Sequence, residues 1–200
     1  MIHIELAKED DAQGIHDVLL ENLIEIENFE DISSTNRKEL ENSGFLRKEV
    51  GVDYYKKLIQ DKFINIYITK DNYGDIIGFG SIHKNLYDVR QFRSTLNKIY
   101  TDDEKTMKLL TESDYGFAYL DQVSIVRKYK RNGIGTAIFN EMLLHIDVPI
   151  VSFIVEFPLA NKASAKWHEQ LGFDLAATCD GDYKGKKFKW WIYIFWNDEK

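Results

Sequence analysis

A single cysteine in 200 residues leaves no partner for an intramolecular disulfide, so Cys179 fits a chain kept in a reducing cytosol. It lies between Ala-Ala-Thr and an Asp-Gly-Asp turn with no histidine close in sequence, a poor setting for a nucleophilic thiolate. No apolar run approaches the ~18 residues that a membrane span needs, and the N-terminus lacks the charged-then-apolar pattern of a secretory leader. These absences point to a cytoplasmic protein without a membrane partner. Positive charge is also short: 26 Lys and Arg stand against 33 Asp and Glu, a formal net charge of -7. That balance argues against a general nucleic-acid binder, which needs clustered cations to neutralise phosphates, and would steer cationic or amine ligands toward the chain. The basic run Lys184, Lys186, Lys187 and Lys189 is the exception. It alternates with Gly185 and Phe188 beside Trp190-Trp191 and reads as a solvated hairpin, contact with a ligand being the alternative.

What is present suffices for one sizeable core. With 44% hydrophobic and 14% aromatic residues, the chain is expected to form a single domain over residues 1–200, with an insertion at about 85–115. Patterning predicts a strand over Ile2–Leu6, a helix over Asp11–Glu27, a polar connection to about Glu49 and a short helix over Val52–Asp61. Strands over Ile64–Thr69 and Ile76–His83 are joined by Asp71-Asn-Tyr-Gly74, which carries hairpin-turn chemistry. In the polar insertion, Phe92, Leu96 and Ile99 recur at near-helical spacing, as a decorative helix or as a wall over a ligand. From Phe117 onward the order is strand, helix, strand over Pro149–Phe157, helix over Asn161–Leu171 and two closing strands, the last over Trp190–Trp196.

The segment Tyr129-Lys130-Arg131-Asn132-Gly133-Ile134-Gly135-Thr136 joins an apolar strand (Val123, Ile125, Val126, read as buried) to an amphipathic helix with Ile134, Ile138, Met142 and Ile146 on one face. Two glycines beside two cations at a helix N-terminus suit a pyrophosphate, because the first N–H groups lack helical partners and glycine lets the backbone come close to an anion. The loop meets neither common nucleotide motif. Ile138 stands where the dinucleotide fingerprint wants a small residue, and the Gly-Lys-Ser/Thr of the P-loop is absent. Read alone, the glycines could equally serve to start a helix close against a sheet.

Three blocks in order resemble the GNAT superfamily of acyl-CoA-dependent N-acyltransferases: Lys130-x-x-Gly133-x-Gly135 after Ser124-Ile125 and Tyr129, the run Asn161 to Phe173 ending in Leu171-Gly172-Phe173, and the opening strand and helix from Ile4 through Ala12. Lys130 replaces the usual Gln or Arg, keeping charge but losing a planar fork of donors. The resemblance implies an α/β (α+β) fold with a mixed, mostly antiparallel central sheet splayed between its fourth and fifth strands and flanked by helices. It implies acetyl-CoA as co-substrate, with the backbone of Val123, Ser124 and Ile125 on the pantetheine and Lys130, Arg131, Asn132, Gly133, Ile134, Gly135 and Thr136 around the pyrophosphate. Asn161 and Ser164 would border the cofactor, and no metal is called for.

The acceptor amine must lose a proton, so a carboxylate near the splay is wanted. Period-two alternation sets Glu156 apart from Val151, Phe153, Val155 and Phe157. In the family's ribosomal-protein N-terminal acetyltransferases a Glu on this strand pairs with a Tyr on the next helix, which here is His168. Glu156 is the leading base, Asp121 on the fourth strand the competing one, and water the third option. An ordinary Glu pKa near ~4.3 must be raised by burial or relayed through water. His168 is the matching acid or, alternatively, only a hydrogen-bonding residue near the cofactor; the phosphinothricin-type branch also carries His at this place. Asn161, Ser164 and His168 form a polar stripe expected to face the cofactor, with Ala163, Trp167 and Leu171 on an apolar one. The expected function is acetyl transfer to a primary amine of a small molecule or a protein or peptide N-terminus, by direct attack in a ternary complex. A catalytically weak CoA-binding regulatory module and a protein binding another nucleotide are the alternatives. Trp190, Trp191 and Trp196 on a terminal strand are compatible with a homodimer.

Overall fold

A computed structural model describes residues 2–24, 32–46, 50–84, 98–112, 116–183 and 185–197. In chain order its elements are β1 (Glu5–Leu6), α1 (Ala12–Asn22), α2 (Ser34–Ser43), α3 (Val52–Gln60), β2 (Ile64–Lys70), β3 (Ile76–His83), β4 (Ile99–Tyr100) and α4 (Glu104–Thr111). β5 (Ala118–Ile125), α5 (Ile134–Leu143), β6 (Ile150–Phe157), α6 (Lys162–Gln170), β7 (Asp174–Tyr183) and β8 (Lys186–Phe195) complete it. The chain resolves into two compact units, each assembled from three separate stretches, and β5 contributes residues to both.

In the first unit the strand order is β1-β2-β3-β5. β2 and β3 form the expected antiparallel hairpin, with Ile64 opposite His83 and Lys70 opposite Ile76. The turn is organised by Asp71, whose Oδ1 accepts from the amides of Tyr73 (2.9 Å) and Asp75 (3.1 Å). On one side Ile15, Val18 and Leu19 of α1 and Tyr55 of α3 bury against Ile66, Ile68 and Phe79. On the helix α5 the predicted stripe holds: Ile134, Ile138 and Met142 are buried, as is Ile146 just beyond its end. This helix lies close to β3 because glycine occupies the contact points. A Cβ on Gly80 would stand 2.7 Å from Met142 Cε and 2.8 Å from Ile138 Cγ2.

The second unit carries the order β5-β6-β8-β7-β4. β5 and β6 are parallel and pair at Ala118–Ile150 and Tyr119–Val151, a short contact for two strands of 8 residues each. β6, β8 and β7 are antiparallel neighbours, with β7 and β8 making the closing hairpin. Leu109 and Leu110 of α4 join Phe117, Val151, Ile192 and Ile194 in this unit's core. The fold class is therefore as expected, mixed α/β with mostly antiparallel strands.

Several boundaries differ from the sequence expectations. β1 is confined to Glu5–Leu6, and β8 begins at Lys186, ahead of the aromatic run that announced it. The polar connection contains α2, which buries no residue and so carries no apolar period to detect. It starts on the Ser33 side chain, which accepts from Asn36 N–H, and is tied down by Arg37 Nη1 donating to Pro158 O (3.0 Å) and by Lys162 against Glu41 (2.7 Å). In the insertion, Phe92 and Leu96 lie outside the described residues, while Ile99 belongs to β4 rather than to a helix. α4 follows, N-capped by Asp103 accepting from Thr106 N–H (2.8 Å), and its leucines are core residues. Lys184 of the basic run also lies outside the described residues; Lys186 and Lys187 are exposed, as a solvated hairpin requires.

Replacing Gly80 by Ala is expected to cost about 1–3 kcal/mol, because the β-branched Ile138 cannot swing aside and the helix must back off. Urea denaturation reads this directly. An unchanged midpoint would mean that α5 is not held at that distance.

Candidate active site

The loop expected to cradle an anion lies where β5 gives way to α5. A 3-10 turn, Arg127–Tyr129, intervenes, and the chain then passes Lys130 at φ -59 and Arg131 at φ 65 to Gly133 at φ 78. Gly133 is the N-cap of α5. A Cβ there would meet nothing within 4 Å, so its role is conformational: it takes a left-handed turn that an L side chain resists. The helical ladder begins with Ala137 N–H donating to Gly133 O (2.9 Å), which sets the N–H groups of Ile134, Gly135 and Thr136 in the first turn, where the dipole favours an anion. Lys130 is half-buried; burial first, then the neighbouring charge of Arg127, pulls its ammonium below the usual lysine range. A cation with weakened hydration beside open N–H groups is a fitting partner for a pyrophosphate.

β5 departs from the expected pattern. Val123 and Ile125 are only half-buried, and the buried face carries Gln122 and Ser124 instead. Polar residues survive there because they are paired: Asn22 Nδ2 donates to Ser124 Oγ (2.9 Å) and to Ile125 O (3.0 Å), and Tyr55 donates to Gln122 Oε1 (2.8 Å). Asp121, earlier on the strand, has a side chain only 8% exposed, with His83 Nε2 3.9 Å from its Oδ2. Sequence reasoning missed His83; the signal was available, since it ends β3, the neighbour of β5 in the strand order.

In the second unit Glu156 sits at an irregularity. Val155 is opposite Trp190 and Phe157 opposite Lys189, so Glu156 is the extra residue of a β-bulge and the simple two-residue alternation does not describe it. Its side chain is 29% exposed with Oε2 buried, and Lys189 Nζ approaches that oxygen to 3.8 Å, an ion pair beyond hydrogen-bond length.

The polar stripe of α6, expected to face the cofactor, turns inward. Asn161, buried, accepts from Ser164 N–H (3.2 Å) as the helix N-cap, and His168 is 3% exposed. The His168 ring meets Trp167 and Phe173 edge-on and lies tilted against Tyr193. Its Nδ1 is 2.8 Å from Ser164 O, and a carbonyl only accepts, so the proton is on Nδ1 and Nε2 carries the lone pair. Burial pushes the imidazole pKa down to about 4 against a smaller upward pull from the Ser164 carbonyl. An acid role needs an imidazolium, which this setting disfavours at neutral pH. Cys179 is likewise buried, its thiol pushed up to about 11 by burial and then by Asp180.

No protein-family model matches the sequence, and no curated protein sequence matches it. Solved structures do match. The ribosomal-protein-S18-alanine N-acetyltransferase from Escherichia coli superposes with a TM-score of 0.62 at 12% identity, covering 100% of this chain and 96% of that one. Arabidopsis thaliana NAA60 with a bisubstrate analogue gives 0.60 at 13% identity over 98% of both chains, and it is also solved with acetyl-CoA. A GNAT-family acetyltransferase structure from Desulfovibrio desulfuricans gives 0.57 at 11% identity over 98% of this chain and 99% of that one. The chain thus has the fold of the GNAT N-acetyltransferases along its whole length. Among the described residues no helix is long and apolar enough to cross a membrane.

The lowered His168 pKa has a measurable consequence. The folded state resists a proton that the unfolded chain accepts near ~6.5, so the stability tied to the neutral ring is fully present above that pH and is lost as pH falls toward about 4. Within that window the loss should run at roughly 1.4 kcal/mol per pH unit. Urea titrations of the wild type and of His168→Gln should therefore converge as the pH is lowered. Parallel curves would place the ring in water.

Proposed function

We propose that this chain is an acetyl-CoA-dependent N-acetyltransferase that acetylates a primary amine of a small molecule or a peptide N-terminus by direct attack in a ternary complex. The observation that carries the reading is the Lys130–Thr136 cradle, with a left-handed glycine and a partly desolvated lysine at the start of α5. The fold neighbours solved with acetyl-CoA and with a bisubstrate analogue support it. On this reading Val123, Ser124 and Ile125 offer backbone groups to the pantetheine and the cradle takes the pyrophosphate.

In the reaction the amine nitrogen attacks the thioester carbonyl, the C–N bond forms, the C–S bond breaks and CoA leaves as the thiolate, which takes up through solvent the proton that the amine gives up. The amine proton goes to a carboxylate, directly or through water. Glu156 is the leading base, carried on a bulge that re-aims its side chain, and Asp121, beside His83, is the competitor. His168 organises α6 through Ser164 and keeps out of proton transfer. The net charge of -7 favours approach of a cationic amine.

Two measurements test this. Calorimetry should detect acetyl-CoA binding that Gly135→Asp abolishes, since the variant sets a carboxylate where phosphate must come close to the backbone. Equal affinity in a folded variant would remove the cradle from the site. Glu156→Gln should lower kcat about a hundredfold to ten-thousandfold with acetyl-CoA binding intact. Full activity in that variant, with a comparable loss in Asp121→Asn, would transfer the base to β5.

A further inference from the structure

The cradle loop is braced in part by residues outside it. Arg131 stands at φ 65, a strained region for a residue with a side chain, which persists only when surrounding structure over-determines it. The loop is fixed just ahead of this residue. Arg127 N–H donates to Glu21 on α1, and Tyr129 N–H donates to Val126 O (2.8 Å). Tyr129 O accepts from Asn132 Nδ2 (3.2 Å), and the Tyr129 hydroxyl reaches out of the loop to donate to Asp71 Oδ2 (3.2 Å). Asp71 is itself immobilised, its other oxygen accepting the two amides of the β2–β3 turn. These amides, Tyr73 first, hold its carboxyl below the usual range, so it is an anionic acceptor at neutral pH. A cleft of about 540 Å³, with Lys70, Asp71 and Ile134 on its walls, borders the tyrosine. Packing is therefore open on that flank, and the hydroxyl bond, together with the Lys128 ammonium 4.7 Å from the ring centroid, orients the ring.

We propose that Asp71, acting through Tyr129, is a positioning residue that sets the shape of the 130–135 loop and hence the affinity for the pyrophosphate of acetyl-CoA. This rests on the acyltransferase reading above. Asp71 meets no reacting atom; it ties the cradle to a rigid hairpin turn distant in sequence.

The test uses the full chain with Tyr129→Phe, which deletes one oxygen, and Asp71→Ser, whose short hydroxyl can still serve the turn but cannot reach Tyr129. Both should raise the acetyl-CoA KM about tenfold at nearly constant kcat, the size of one lost hydrogen bond to a charged group. The double variant should be no worse than either single one, because one interaction is removed in all three. S-acetylpantetheine, which has no pyrophosphate, should be turned over equally well by every form. Amide hydrogen exchange of residues 131–135 in the free protein should speed up by about tenfold in each variant, a readout independent of turnover. Unchanged KM and exchange in both variants of an active wild type would overturn the role, as would equal losses with acetyl-CoA and S-acetylpantetheine. A wild-type chain that binds no acetyl-CoA would instead remove the acyltransferase reading itself, with the exchange result then standing alone on the tether.

Discussion

The amide of Asn22 decides where β5 stops. Near the end of α1 and 5% exposed, it donates to Val18 O in its own helix, to Ser124 Oγ and to Ile125 O. Burying a primary amide costs several kcal/mol unless its hydrogen bonds are made; here the donor side is met by these three carbonyl and hydroxyl oxygens, which holds helix and strand in register, while Oδ1 is buried with no partner among the described residues. The last residue of β5 is thereby fixed, the next residue, Val126, donates its amide to Ile77 O (2.9 Å), and the chain is released into the Arg127–Tyr129 turn at a defined point. Everything assigned to the cradle follows from that exit. The neighbouring Tyr55–Gln122 bond repeats the arrangement one step earlier on the strand, at the cost of leaving Gln122 Nε2 buried with no partner among the described residues.

Much of the architecture was legible because its signals are local. The four-residue apolar recurrence in α5, the Asp71–Gly74 turn and the glycine that opens the helix each announce their geometry within a few residues. What escaped was whatever depends on partners distant in sequence. α2 is anchored by Arg37 and Glu41 to residues more than a hundred positions on, and nothing within its own stretch reports that. Val123 and Ile125 are the apolar candidates for the buried face of β5, and only distant partners explain why Gln122 and Ser124 take it instead. The bulge at Glu156 breaks a period that reads as unbroken in the sequence. His168 is expected as an acid or a hydrogen-bonding residue beside the cofactor because its stripe is polar, whereas the stripe is buried, with Nδ1 on Ser164 O and Asn161 capping the helix.

The two candidate bases share an arrangement. Each is a largely covered carboxylate with a basic side chain just beyond hydrogen-bond length: His83 at 3.9 Å from Asp121 and Lys189 at 3.8 Å from Glu156. An identity of 11–13% with proteins of the same fold shows how few positions this architecture prescribes. The pattern of buried faces and turns carries it, and the residues around the chemistry are free to differ.

Arg131 sets folding and ligand attraction against each other at one position. Its φ of 65 is a conformation that glycine adopts at no cost and that an arginine adopts only under constraint. A chain shaped for stability alone would carry glycine there and relax the loop. Keeping arginine stores strain beside the proposed anion site while supplying a positive charge on a side chain exposed to solvent. Stability gained at this residue would therefore be charge lost beside the loop, and, on the acyltransferase reading proposed above, a thermally hardened version of this protein is expected to capture acetyl-CoA more slowly.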